Sequence, residues 1–135
     1  MACPFFEPVT LAPMANSRNA RLPLIREYAG HCARQDGGIQ VSDRSCNQGY
    51  ARGVCDYFPS SEKNRANRYS LLNRGESELR LLFVIEEDYS PAAIRTLHFS
   101  IHQDCLLESD LDPCVSAQAL AFCRSYLKAY GKASC

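Results

Sequence analysis

The first sixty residues of this chain carry too little pattern to close a regular ladder of backbone hydrogen bonds. Pro4, Pro8, Pro13 and Pro23 interrupt the first part of the segment, and Gly37-Gly38, Gly49 and Gly53 the second. Apolar residues recur there at neither strand nor helix spacing. Backbone polar groups placed in this way need some other organiser. The segment supplies a candidate in Cys3, Cys32, Cys46 and Cys55, each beside a chain-turning residue: Cys3-Pro4-Phe5-Phe6, Gly30-His31-Cys32, Cys46-Asn47-Gln48-Gly49 and Gly53-Val54-Cys55. Thiols bunched among Gly and Pro hold a metal, a cluster or each other. The plainer reading is a set of long loops draped over a sheet.

Length decides how much the cysteines must do. At 135 residues, 46% of them apolar, the chain is expected to form one domain with a real core, unlike the short scaffolds that depend on disulfides. The opening Met1-Ala2-Cys3-Pro4 has no basic region followed by an apolar run, so no signal peptide is expected, and the run Leu81 to Ile85 is too short to cross a bilayer. The expected compartment is therefore cytoplasmic and reducing, where clustered cysteines bind metal more often than they pair.

Regular structure is predicted from about residue 67. Arg68 to Leu72 suits a short strand, and Asn73-Arg74-Gly75-Glu76 is turn chemistry. Glu78 to Glu86 alternates, with Leu79, Leu81, Phe83 and Ile85 on one face, and Ile94 to Ile101 resumes the alternation after Ser90-Pro91. Asp112 suits a helix cap, Pro113 the first helical position and Gly131 the stop. Between them Val115, Ala119, Phe122, Cys123, Tyr126, Leu127 and Tyr130 trace an apolar stripe, with Ser116, Gln118, Arg124, Ser125 and Lys128 assigned away from it. The expectation is a single α+β domain over 1–135: a loop-rich cysteine region at 1–60, an antiparallel meander of three or more strands at 67–101, and a helix at 113–130 packed on the sheet.

The eight cysteines divide by context. Cys114 and Cys123 lie two and a half helical turns apart and project to opposite sides, Cys123 on the buried stripe. With Cys105 and the final Cys135 they are read as structural or incidental. The other four are separated by 28, 13 and 8 residues. A structural zinc site pairs its ligands as Cys-x2-4-Cys, and no such pair exists in the chain. Scattered single ligands suit a cubane iron–sulfur (4Fe-4S) cluster, in which each iron presents a corner to a separate loop. Gly30, Gly49 and Gly53 are expected to let amides approach the sulfurs, and Phe5, Phe6, Tyr50, Tyr57 and Phe58 to exclude water. Zinc is the alternative. Disulfides are the third reading, and pairing of all eight thiols would leave 105 connectivities open.

The same residues resemble a family of small uncharacterised bacterial proteins. The resemblance rests on Cys3-Pro4-Phe5-Phe6, Arg21-Leu22-Pro23-Leu24 ahead of Gly-x-Cys, the run Cys-Asn-x-Gly-Tyr-Ala-x-Gly-x-Cys from Cys46 to Cys55, Phe58-Pro59, and Glu87-Asp88-Tyr89-Ser90-Pro91. It implies that Cys3, Cys32, Cys46 and Cys55 belong together, and it brings no activity with it.

Enzymatic signatures are missing from the sequence. There is no phosphate-binding glycine loop, Gly-x-Ser-x-Gly or Cys-x-x-Cys, and neither His31 beside Cys32 nor His98 with His102 makes a catalytic or metal pair. Glu86-Glu87-Asp88 reads as a solvated strand edge. Net charge is zero, with ten Lys/Arg against six Asp/Glu in residues 1–75 and five against nine in 76–135. So modest a basic excess is an ordinary surface, and nucleic acid is not the expected partner. The expectation is a cluster or zinc protein with a structural, redox-sensing or electron-transfer role, meeting a protein partner and no membrane. The alternative is a disulfide-stapled interaction module, and nucleic-acid contact is a weaker third.

Overall fold

A computed structural model of the protein describes residues 2–11, 28–34, 40–41, 46–47 and 49–130. Alternation builds the larger sheet. Strands β4 (Arg65–Arg74), β5 (Glu78–Glu87) and β6 (Ser90–Ser100) pair antiparallel in sequence order, and the short β7 (Cys105–Leu106) adds to β6. Leu79, Leu81, Leu97 and Phe99 are fully buried, with Tyr69 and Phe83 beside them. β6 starts four residues earlier than its pattern predicts. Asp88 and Tyr89, at φ 50° and 67°, form a two-residue turn of the left-handed kind that matches strand twist, so Pro91 falls within the strand. Tyr89 is held there by stacking on Tyr50 with ring centroids 4.1 Å apart.

The helix α1 (Pro113–Tyr130) begins where its cap predicts. Asp112 Oδ1 accepts the Cys114 amide at 2.9 Å, and the Asp112 carbonyl accepts that of Ser116 at 2.9 Å. Gly131, the predicted stop, lies outside the described residues. Val115, Ala119, Phe122 and Cys123 are buried, and Phe122 lies 6.2 Å from the Tyr69 ring. Phe122→Ala is expected to cost about 3 kcal/mol by chemical denaturation, from lost transfer energy plus the cavity left behind. A cost under 1 kcal/mol would mean that the ring contributes little to the core.

Two expectations need correcting. The first sixty residues, expected to be irregular, contain an antiparallel sheet of β1 (Phe6–Leu11), β2 (Tyr28–Cys32) and β3 (Gln40–Val41). Its pairing joins segments distant in sequence, and a register shift between Pro8 and Thr10 spoils the alternation that would announce β1. This sheet also packs on α1, so the helix is covered on two sides. Cys114, Gln118, Ala121 and Ser125 are buried as well as the apolar stripe. The hydroxyl of Tyr28 in β2 hydrogen-bonds Ser125 Oγ and donates to the Ala121 carbonyl at 3.3 Å. Gln118 and Ser125, assigned to solvent on their polarity, are interior residues.

Glu86 departs from expectation in the same way. It is buried rather than solvated, and it receives Arg68 Nη2 at 2.7 Å and the Tyr50 hydroxyl. None of the described helices is long and apolar enough to cross a membrane.

Candidate metal centre

Cys3 is the fixed point of the cysteine region. Its amide donates to the Cys46 carbonyl at 3.0 Å, and its own carbonyl accepts from Phe6 N at 3.1 Å and Gln118 Nε2 at 2.7 Å. The chain just before it is anchored to the larger sheet, where Ala2 and Asn67 exchange two backbone hydrogen bonds of 2.6 and 2.7 Å. Proline at position 4 sits in the tight turn closed by the Phe6 amide on the Cys3 carbonyl.

Each remaining cysteine arrives on a different support. Cys32 ends β2 opposite Phe6 in register, and the next residue, Ala33, donates its amide to the Phe5 carbonyl at 2.8 Å. Cys46 lies on a short helical turn docked by its neighbour. Asn47, fully buried, accepts the Tyr28 amide at 2.8 Å and donates to the Tyr28 carbonyl at 3.0 Å, so its side chain pairs with the start of β2 as a strand would. Cys55 is held by its amide on the Ala51 carbonyl at 2.8 Å and by its carbonyl, which accepts Phe58 N at 3.2 Å. Gly49 makes this route possible. At φ +81° it passes so close to β4 that a Cβ would lie 2.4 Å from that of Ala66 and 3.0 Å from the Ala2 carbonyl oxygen.

Electrostatics ties the four together. The Cys3 thiol is pushed up to about 12, first by burial and also by the negative potential of Cys46, Cys32 and Cys55, while the Phe5 backbone N–H bonded to it pulls the other way. All three other cysteines thus lie within electrostatic reach of Cys3. They do not meet at a point: among the described residues, no three His, Cys, Asp or Glu side chains are placed to hold one metal ion.

The surroundings answer the remaining expectations in part. Phe6 and Phe58 are buried, and Phe5 meets Phe58 edge-on at 5.5 Å. Tyr57 is exposed, and Tyr50 turns to Glu86 and Tyr89, so neither completes an apolar wall. Gly30 and Gly49 serve close backbone approaches, and Gly53 a turn at φ +81° with open space around it. The Phe5 amide, which belongs to none of these glycines, bonds the Cys3 sulfur. The guanidinium groups of Arg34 and Arg65 each lie 5.6 Å from the Phe5 ring centroid. Two cations therefore stand over one aromatic ring of the cysteine region.

The other cysteines differ in place. Cys123 is buried, and burial pushes its thiol up to about 12. Cys105 is half-buried in β7, its Sγ 3.7 Å from Gln103 Oε1. Cys135 lies outside the described residues, as does the Arg21-Leu22-Pro23-Leu24 segment. Cys114 is buried, and its thiol is raised to about 11 by burial, then by Asp112, Glu7 and Cys32.

Sequence reasoning missed Gln118, Asn47 and Asn67, whose buried amides hold the cysteine-bearing segments. The sequence signal for Asn47 was its place beside Cys46; Gln118 and Asn67 gave none. No protein-family model, no curated protein and no solved structure matches the chain.

Proposed function

We propose that this chain binds an iron–sulfur cluster of the 4Fe-4S type through Cys3, Cys32, Cys46 and Cys55, and serves a redox-sensing or electron-transfer partner protein in a reducing, cytoplasmic compartment. One observation carries the reading: thiols with 28, 13 and 8 residues between them in sequence come within electrostatic reach of Cys3 on four separate supports. Zinc draws its ligands to about 2.3 Å from one centre, which puts sulfurs roughly 3.8 Å apart in a tetrahedron. A cluster whose irons each take one thiolate accepts ligands that arrive on separate supports. The Phe5 amide would hydrogen-bond a ligating sulfur and raise the cluster's potential.

Binding replaces thiol protons by metal, so loading should release protons and stabilise the segments that carry the ligands. Protein purified without oxygen is expected to carry iron with inorganic sulfide, one cluster per chain, by native mass spectrometry and chemical analysis. Cys46→Ser should abolish this, because serine is a poor ligand for iron and Cys46 is also tied to Cys3. Cys135→Ser should leave it unchanged. Zinc in place of iron would select the alternative metal. A metal-free chain eight hydrogens below the reduced mass, the value for four disulfides among eight cysteines, would overturn both.

A further inference from the structure

Among the described residues, Cys3 and Cys46 are the cysteines whose backbones hydrogen-bond to each other. The Cys3 amide donates to the Cys46 carbonyl at 3.0 Å, and a bond of that length sets the two Cα atoms roughly 5.5–6.5 Å apart. Disulfides span Cα separations of about 4.4–6.8 Å, so this pair lies at bridging distance with the backbone where it stands. Each partner is also held by bonds to other elements. Ala2 exchanges two backbone hydrogen bonds with Asn67 in β4, and the Cys3 carbonyl accepts Gln118 Nε2. Asn47, next to Cys46, bonds both the amide and the carbonyl of Tyr28. The spacing of the two residues is thereby fixed in advance, which favours a reaction between them over one with a more mobile thiol.

We infer that Cys3 and Cys46 close a reversible disulfide under hydrogen peroxide, forming a redox switch within the cysteine region. The inference needs no bound metal, and it gives the redox-sensing role proposed above a chemical basis in the chain itself. Intracellular disulfides are mostly of this transient kind. Cys46 is half-buried and Cys3 buried, so Cys46 meets the oxidant and Cys3 resolves the product. In the first step the Cys46 thiolate attacks peroxide: a sulfur–oxygen bond forms, the oxygen–oxygen bond breaks, and the departing hydroxide takes up a proton. The Cys3 sulfur then attacks the sulfenic sulfur, the sulfur–oxygen bond breaks, and water leaves with the Cys3 proton. Two thiols are oxidised by two electrons, and one peroxide is reduced to two waters.

The bridge closes a loop that contains β1, β2 and β3, so it restricts the unfolded chain and should raise the denaturation midpoint. It also withdraws two of the four proposed ligands, so the oxidised chain presents a different site from the reduced one.

The test uses the full chain, reduced and stripped of metal, with one equivalent of hydrogen peroxide. Its intact mass should fall by two hydrogens, and peptide mapping after alkylation of the remaining thiols should recover Cys3 joined to Cys46. The urea midpoint should rise on oxidation and return with dithiothreitol. Cys3→Ser should stop at a Cys46 sulfenic acid that dimedone labels, whereas Cys46→Ser should leave Cys3 unbridged. A bridge from either residue to Cys32 or Cys55 in place of this one, or no bridge in the wild-type chain, would overturn the inference and leave the cluster reading to its own iron assay. A chain that takes up no iron but closes this bridge would refute the cluster and keep the switch.

Discussion

Gln118→Ala is expected to destabilise the protein by about 5 kcal/mol, near the upper end for a single substitution. The Gln118 side chain is fully buried and uses its whole hydrogen-bonding capacity. Its Nε2 donates to the Cys3 and Phe6 carbonyls, and its Oε1 accepts Asn67 Nδ2 at 3.0 Å and the Tyr69 hydroxyl at 2.8 Å. Truncation leaves four buried polar groups without this partner, at roughly 1–3 kcal/mol each before water enters to relieve some of them. Gln118→Glu should do no better, because a carboxylate would face two carbonyl oxygens and lose both donors. Urea denaturation of the reduced protein measures the effect. A loss below 1 kcal/mol would show that these bonds are readily replaced by water.

Gly30→Ala should be comparably damaging, at about 4–5 kcal/mol, for a different reason. A Cβ on Gly30 would lie 1.9 Å from the Glu7 carbonyl oxygen and 2.9 Å from Pro8 Cα. Both are backbone atoms of the paired strand and neither can rotate aside, so β1 and β2 must separate. The Glu7–His31 and Phe6–Cys32 pairings lie next along the ladder, and the separation would draw Cys32 from Cys3. Gly53→Ala is the control. It meets no atom within 4 Å and bears only the cost of a left-handed backbone, about 1 kcal/mol. Equal denaturation midpoints for the two variants would show that the β1–β2 approach relaxes without penalty.

How far these features could be read from the sequence depended on how local their causes are. The meander and α1 announce themselves because alternation and the 3.6-residue stripe are short-range patterns, and Asp112 and Pro113 mark the helix start. The sheet of β1 to β3 does not, since its strands meet across long intervals and β1 carries Pro8 and a register shift. Gln118 was misplaced because polarity was read as exposure. A helix covered on both sides buries a wider arc than its apolar residues mark, and an amide with four partners is as much at home there as leucine. The four N-terminal cysteines stood out by their Gly and Pro neighbours.

The bond from Gln118 to Cys3 spans 115 residues of chain, and this sets an order of assembly. Cys3 emerges first of these thiols during synthesis, yet the group that fixes its carbonyl is made only after the whole meander has followed. Contacts so distant in sequence form late, once intervening structure has shortened the effective loop. The Cys3 carbonyl therefore waits for its Gln118 partner until the last helix closes over the first strand.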